Sequence, residues 1–216
     1  MKVIVCEGIK RVHTAGDERN KREGETLVNV MADVRLKSDT TLLKDGKPFF
    51  VPTFLGEVRG QAYVVCRVGK LGKSIEERFG QRYIDGITVG VDFKASEWAQ
   101  WLVKGNMSAD VAYNTDGSSV VGQFVGIMDD EGSGADGLEV GLRLEREGGR
   151  EVREYSRAMD VLTQVRLEVA YVSRYMSLRQ GDLLFALKVG DEFEARIDSR
   201  MVATIGGREV LCFRVK

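Results

Sequence analysis

Proline, histidine and cysteine are scarce in this chain. Its 216 residues include 2 prolines, a single histidine (His13) and 3 cysteines, against 25 glycines. The cysteines, Cys6, Cys66 and Cys212, are far apart and form no CxxC pair, which argues against a structural zinc site. Their β-branched or aromatic neighbours indicate buried, reduced thiols of the kind found in cytoplasmic proteins.

Long apolar runs and a surplus of one charge are also missing. The longest apolar runs, such as Val3–Cys6 and Ala62–Cys66, are far shorter than the roughly 20 residues of a membrane span. The net charge is -1, with lysine and arginine spread throughout the chain, so there is no basic patch for nucleic acid or an anionic membrane. The opening MKVIVCEG is not typical of a signal peptide. We therefore expect a cytoplasmic protein with no nucleic-acid or membrane partner.

Frequent glycine and rare proline are typical of many short strands joined by tight turns. The length suits one domain over 1–216, or a small N-terminal lobe over 1–45 followed by a core domain over 46–216. The pattern predicts an α+β fold, mainly β, with a rolled or sandwiched sheet at its centre. The predicted strands are Val3–Cys6, Phe49–Phe54, Ala62–Val68, Ile87–Phe93, Ser119–Ile127, Leu138–Glu145, Asp182–Ala186 and Leu211–Val215.

Three helices are predicted from capping residues and apolar spacing. Ser74 followed by Glu77 has the form of a capping box, Ser96 can cap a second helix, and Thr163 can cap the longest one. Gly80 lies inside the first of these helices at a cost of about 1 kcal/mol relative to alanine, so we expect another segment to pack closely against it.

Several segments of the chain resemble the fumarylacetoacetate hydrolase family, in particular its shorter bacterial members. The most informative is Thr41–Phe93, with TLLKDGKPFFVPTF followed by RVGKLGKSIEERFGQRYIDGITVGVDF. DGSSVVGQFV (Asp116–Val125) and LEVAYVSRYMSLRQGDLLF (Leu167–Phe185) follow in the same order, and the N-terminal MKVIVCEGIKRVHTAG matches more loosely. The resemblance implies a mixed β-sandwich roll with a few short helices, and a homodimer. It also implies Mg²⁺- or Mn²⁺-dependent hydrolysis, decarboxylation or isomerisation of acylpyruvate-like 1,3-dicarbonyl or related oxo-acid substrates.

The metal positions that the resemblance implies are largely replaced. Two glutamates separated by one residue are expected on the strand before the GKLGK hairpin, where this sequence has Gln61 and Tyr63. The third carboxylate survives as Asp92 in VGVDF. Since divalent cations prefer hard anionic oxygens, we expect no cofactor at normal affinity.

The catalytic and cavity positions follow the same trend. His13 lies where the family's catalytic histidine is expected, but Gly16 replaces its glutamate partner. A histidine without an orienting carboxylate loses control of its tautomer, so His13 is a remnant of that pair or a solvent-exposed turn residue. Tyr113 stands at the position of a family lysine, and the Thr-Gly-Thr-Pro loop near the C-terminus is missing. The positions expected to line the substrate cavity are kept as Lys37, Asp116 and Ser118. A surface position stays open as the alternative for Lys37, and a structural role such as turn capping stays open for Asp116 and Ser118.

Three hypotheses remain open. The first is a pseudoenzyme, a non-catalytic small-molecule-binding or dimeric scaffold protein with a degenerate metal site. The second is a divergent family hydrolase, decarboxylase or isomerase, which would restore a role for Mg²⁺ or Mn²⁺ or would use His13 as base with Tyr63 or Tyr113 as acid. The third is a heteromeric partner of an active family member.

Overall fold

The computed structural model describes residues 1–13, 28–44, 46–127, 137–146 and 152–216, without the side chains of 10–13 and 28–31. No helix in these ranges is long and apolar enough to cross a membrane. The strands are β1 (Val3–His13), β2 (Val28–Lys37), β3 (Leu42–Leu43), β4 (Arg59–Val68), β5 (Ile84–Lys94), β6 (Ser119–Val121), β7 (Leu138–Arg146), β8 (Val152–Met159), β9 (Leu183–Glu194), β10 (Ser199–Ile205) and β11 (Arg208–Arg214). The α-helices are α1 (Ser96–Lys104), α2 (Asp110–Tyr113) and α3 (Val161–Tyr175).

The strands form two sheets. The larger has the order β2-β1-β9-β4-β5-β6-β3, and the smaller has the order β11-β10-β7-β8. In the larger sheet β1 and β9 are parallel, as are β3 and β6, while the other pairs are antiparallel. This mainly β architecture with few helices confirms the α+β prediction. The division at residue 45 stays a prediction, although β1 and β2 are hydrogen-bonded into the larger sheet.

Alternation along the strands divides the larger sheet into two faces. One face carries Ile4, Val64 and Val89, which share a single core with α3 and the smaller sheet. The opposite face carries a second apolar cluster that includes Val5, Val65 and Phe185. Every residue named here is almost completely buried, so both faces of this sheet are covered.

The larger sheet is strongly curled. Three strands separate β2 from β5 in the sheet order, a span of roughly 19 Å in a flat sheet with strands about 4.8 Å apart. Yet Lys37 at the end of β2 contacts Asp92 in β5 directly. Curling therefore encloses the second apolar cluster and brings polar side chains from distant strands together inside the roll.

The predicted helix caps are wrong in detail. Ser74 does not open a capping box: its φ is 50°, and the segment that follows is a 3-10 helix over Glu77–Tyr83 without a side-chain cap. Ser96 is the first residue of α1, whose cap position is Ala95. In α3 the side chain of Asp160 caps the helix by accepting a hydrogen bond from the Thr163 N–H.

Two further expectations concern local packing. A strand over Phe49–Phe54 is wrong, because the structure has only an isolated bridge from Phe49 to Val215 and a 3-10 turn over Thr53–Leu55. Close packing at Gly80 is confirmed. A Cβ atom there would lie 2.8 Å from the backbone of Arg166 in α3, so this position has no room for a side chain.

Candidate functional site

Lys37, Asp92 and Ser118 meet inside the curled sheet. The side chains of Lys37 and Asp92 are each 1% exposed, and Ser118 is fully buried at the turn before β6. Lys37 Nζ donates to Asp92 Oδ1 and also to Ser118 Oγ, which lies 3.0 Å away. The sequence could not show this arrangement, because Lys37 and Asp92 lie 55 positions apart.

Burial governs the charge state of Lys37. Removal from water lowers the pKa of Lys37 below its ordinary value of 10.5, and the positive charge of Arg35 acts in the same direction. The carboxylate and hydrogen bond of Asp92 offset this loss only in part. A lysine in this position is held as the counter-ion of a buried carboxylate.

A second carboxylate, Glu7, lies beside this pair. The buried Tyr63 hydroxyl donates to Glu7 Oε1, and Arg35 NH2 lies 2.7 Å from the same oxygen. The ammonium groups of Lys188 and Lys94 lie 3.3 Å and 3.8 Å from Glu7. We use the name interior cluster for these side chains together: Glu7, Arg35, Lys37, Tyr63, Asp92, Lys94 and Ser118.

Contacts within the interior cluster shift the pKa values of Glu7 and Tyr63. Burial works against ionisation of Glu7, but the hydrogen bond from Tyr63 and the charges of Arg35, Lys94 and Lys188 outweigh it and lower the pKa of Glu7. Burial and the hydrogen bond to Glu7 raise the pKa of Tyr63 well above its ordinary value of 10. The Tyr63 hydroxyl therefore already has a hydrogen-bond acceptor, the carboxylate of Glu7.

Glu7 and Arg35 were missed in the sequence. A signal for both exists in strand parity: Glu7 follows Val3 and Val5 at a spacing of two, and Arg35 precedes Lys37 at the same spacing. A charged residue on the buried face of an apolar strand needs a partner. In the antiparallel pairing of β1 and β2, Val5 stands opposite Arg35, which places these side chains on one face of the larger sheet.

Gln61 donates hydrogen bonds to backbone carbonyl groups, whereas Tyr63 donates to the Glu7 carboxylate. Its side-chain nitrogen lies 3.1 Å from the Ala62 carbonyl oxygen, and 3.4 Å and 3.2 Å from those of Val189 and Gly190 in β9. These carbonyls accept from Gln61 where the register between β4 and β9 is irregular. The structure thus gives Gln61 backbone partners in β9, although it stands directly opposite Asp92 in the pairing of β4 and β5.

The remaining predicted site residues are only partly brought together. Tyr113, the last residue of α2, lies against Arg35, whose guanidinium carbon is 4.8 Å from the ring centroid. Asp116 is exposed in the turn before β6. His13 ends β1 opposite Val28, but its side chain and Gly16 lie outside the described residues. The catalytic roles assigned to Tyr113 and His13 stay predictions.

The described residues do not fit a divalent metal ion. Asp92 Oδ1 is engaged by Lys37, and Asp92 Oδ2 lies 3.7 Å from Arg35 NH2. Within the described ranges there is no group of three or more histidine, cysteine, aspartate or glutamate side chains placed to hold a metal. A hard dication needs several anionic or carbonyl oxygens, whereas this carboxylate faces two positively charged side chains.

Two known proteins are similar in sequence to much of this chain. The mitochondrial oxaloacetate tautomerase FAHD1 of Mus musculus is 24% identical over 174 residues, which cover 76% of this chain and 75% of that protein. A fumarylacetoacetate hydrolase domain-containing protein 2 homologue of Dictyostelium discoideum is 23% identical over 188 residues, covering 84% of this chain and 58% of that protein.

Solved structures with a similar fold include the following two proteins. A protein from Yersinia pestis CO92 assigned to the fumarylacetoacetate hydrolase family has a TM-score of 0.76 at 20% identity, covering 100% of this chain and 92% of that one. Fumarylpyruvate hydrolase from Pseudomonas aeruginosa, in complex with Mn²⁺ and pyruvate, has a TM-score of 0.72 at 19% identity, covering 100% and 89%. The family model described as fumarylacetoacetate (FAA) hydrolase C-terminal matches residues 5–205. The chain therefore belongs to the fumarylacetoacetate hydrolase family.

Proposed function

We propose that this family member has lost the metal-dependent reaction and acts as a non-catalytic small-molecule-binding or dimeric scaffold protein. The observation that carries the proposal is the buried ion pair between Lys37 and Asp92. The carboxylate that would bind a metal already has a positively charged partner, and that partner belongs to the chain itself.

Electrostatics favour this internal cation over a metal ion. A unit charge pair about 4 Å apart interacts by about 4 kcal/mol at an effective dielectric of 20. A dication at Asp92 would meet repulsion of that order or more from Lys37 and again from Arg35. Expelling Lys37 would in turn leave an ammonium group buried without its carboxylate, which is costly.

Calorimetric titration with Mn²⁺ and Mg²⁺ tests the proposal. We expect no binding in the micromolar range by the unaltered chain. Asp92→Asn is the specific variant, and Asp85→Asn, at an ion-paired aspartate with a 42% exposed side chain, is the matched control. Micromolar affinity that is lost in Asp92→Asn and kept in Asp85→Asn would overturn the proposal.

The second candidate is a divergent family hydrolase, decarboxylase or isomerase acting on acylpyruvate-like 1,3-dicarbonyl or oxo-acid substrates. The contact of Lys37 Nζ with the Ser118 hydroxyl favours it, because a buried amine beside a hydroxyl can take part in proton transfer. The names of the relatives, a tautomerase and a hydrolase, support the same substrate class.

Turnover of oxaloacetate and of an acylpyruvate separates the two candidates. Each substrate is assayed with EDTA and with Mn²⁺, for the unaltered chain and for His13→Ala. Turnover that falls in His13→Ala supports the enzyme with His13 as base, and turnover restored only by Mn²⁺ supports the metal-dependent form. Absence of turnover under all conditions supports the non-catalytic role.

A homodimer belongs to the same proposal. Trp98 and Trp101 stack with their ring centroids 4.9 Å apart on α1 and are 38% and 57% exposed, with Val103 at 62%. Exposed apolar groups of this size support an interface.

Light scattering after size exclusion tests the homodimer. It is expected to give twice the chain mass for the unaltered protein, and Trp101→Lys is expected to lower the measured mass. A pull-down from the native cell that recovers an active family member would favour a heteromeric assembly instead.

Residence in the cytoplasm is also part of the proposal. Cys6, Cys66 and Cys212 are all free thiols, which supports a reducing compartment. Fractionation of the native cells, followed by detection of the protein, tests this assignment. Recovery outside the cytoplasmic fraction would contradict it.

A further inference from the structure

A surface cavity lies at the opposite end of β4 from Asp92. It has a volume of about 290 Å³ and lies beside the GKLGK hairpin and the 3-10 helix over Glu77–Tyr83. Gln61 stands opposite Asp92, and β4 continues from there to Val68, roughly 23 Å further along the strand. The cavity is therefore separate from the interior cluster. It is lined by Lys70, Lys73, Ser74, Ile75, Glu76, Phe79, Arg82 and Tyr83.

Backbone contacts fix the hairpin that carries the two lysines of this cavity. Gly72 exchanges two N–H···O hydrogen bonds with Leu178, at 2.9 Å and 2.8 Å. A Cβ atom at Gly72 would lie 2.5 Å from the ring of Tyr83, so the hairpin packs directly against that ring. Lys70 and Lys73 therefore extend from a backbone that is already held in place, which lowers the entropic cost of binding a ligand.

Three cations line the cavity, namely Lys70, Lys73 and Arg82. The ammonium group of Lys70 lies 4.6 Å from the centroid of the Tyr83 ring, and the guanidinium carbon of Arg82 lies 4.9 Å from that of Phe79. Lys73 Nζ donates one of its hydrogens to the Arg174 carbonyl oxygen at 3.0 Å. Ring faces and a carbonyl group orient these cations, but they do not neutralise them.

The carboxylates near this cavity contact other arginines. Glu76 is the one carboxylate among the described residues that line the cavity, and its Oε2 lies 2.8 Å from Arg78 NH2. Asp85 Oδ1 lies 2.6 Å from Arg67 Nε. Three positive charges and one negative charge therefore line the cavity, which leaves a surplus of two positive charges.

We propose that this cavity binds the phosphate group of a small phosphomonoester. Such a group carries close to two negative charges at neutral pH, which matches the surplus, and its oxygens accept strong hydrogen bonds from ammonium and guanidinium groups. Ile75, Phe79 and Tyr83 line the same cavity and offer apolar contacts to the organic part of the ligand. A volume of about 290 Å³ is near the lower end of the range for small-molecule sites, so the ligand is compact.

A titration followed by ¹⁵N–¹H NMR tests the proposal, with phenyl phosphate, inorganic phosphate and benzoate as probes at low ionic strength. We expect phenyl phosphate to bind with a Kd on the order of 1 mM and to shift the amide signals of Gly72 and Ser74. Inorganic phosphate lacks the organic part and benzoate carries a single charge, so both are expected to bind more weakly. High salt is expected to weaken the binding of phenyl phosphate, because the cations are exposed.

Paired variants separate the charge of the lysines from their place in the fold. Lys70→Met combined with Lys73→Met is expected to weaken phenyl phosphate about tenfold, or about threefold for each exposed charge. Lys70→Arg combined with Lys73→Arg keeps both charges and is expected to keep the affinity. Lys104→Met, at an exposed lysine in the last turn of α1, is the matched control and is expected to change nothing.

The proposal fails if phenyl phosphate does not bind, if the double methionine variant binds it as tightly as the unaltered chain, or if benzoate or inorganic phosphate binds equally well. Loss of affinity in the double arginine variant would also overturn it, because charge would then not explain the binding. If the double methionine variant does not fold, the two single variants provide the test, and unchanged affinity in both counts against the proposal. None of these outcomes bears on metal binding at Asp92.

Discussion

Glu168, in the middle of α3, should make the stability of the protein depend on pH, because its carboxyl group is buried. Glu168 is 1% exposed, on the helix whose residues Val165 and Val169 belong to the core. Gln164, one turn earlier, donates to Glu168 Oε1 at 2.9 Å, while Glu168 Oε2 is buried without a partner among the described residues. Burial raises the pKa of Glu168 to about 8, with the hydrogen bond from Gln164 acting in the opposite direction.

The sign of the effect on stability follows from proton linkage. Between its ordinary pKa of 4.5 and the folded-state value of about 8, the folded chain binds a proton at Glu168 that the unfolded chain has released. The free energy of unfolding therefore falls as the pH rises through this window and levels off above it. At about 1.4 kcal/mol per pH unit, the window corresponds to a loss of at most about 5 kcal/mol.

Glu168→Gln removes this titration while keeping the size of the side chain. Urea unfolding followed by circular dichroism from pH 5 to 9 gives the free energy of unfolding of both proteins. We expect the difference between them to shift in favour of the variant by several kcal/mol between pH 5 and about 8. Glu76→Gln, at a glutamate with a 63% exposed side chain, is the matched control and is expected to show a nearly constant difference. A constant difference for Glu168→Gln as well would refute the reasoning.

Three further predictions concern packing and the interior cluster, and each is measured as the change in the free energy of unfolding. Lys37→Met removes the cation that Asp92 contacts directly and leaves it with Arg35, 3.7 Å away, and is expected to destabilise the chain by about 3 kcal/mol; a loss below about 1 kcal/mol would show that Arg35 or solvent replaces Lys37. Tyr63→Phe removes the hydrogen bond to Glu7 and is expected to cost about 1.5–3 kcal/mol, and no change would mean that Glu7 is satisfied without it. Gly80→Ala places a Cβ against the Arg166 backbone and is expected to cost about 1–3 kcal/mol, whereas increased stability would contradict the close packing.

Much of the fold could be predicted from the sequence, because strand patterns are local. Alternation and β-branched residues indicate Ala62–Val68 and Ile87–Phe93, and both lie inside the observed β4 and β5. The residues that cap the helices were harder to predict. Ser74 has a suitable side chain and spacing, but the N–H groups of Ser74 and Ile75 are bonded to Ser173 in α3. A long-range contact thus replaced the local cap.

Only some residues of the candidate site could be predicted from the sequence. The motif predicts that Gln61 and Tyr63 stand where two metal-binding glutamates are expected, and this stays a prediction. That Glu7 and Arg35 belong to the same site could not be predicted from the sequence, because neither residue lies in the Thr41–Phe93 segment. Their contacts join β1, β2 and β4, and the atoms of Glu7 and Tyr63 that meet are 56 positions apart along the chain.

The sequence by itself determined the family and the mainly β fold, since both follow from residue type and spacing. Only the tertiary structure decided which side chains stand beside Asp92. Curling of the larger sheet brings Lys37 and Arg35 from β2 over Asp92 in β5. A charge interaction depends on distance in space, and that distance is set by the curvature of the sheet.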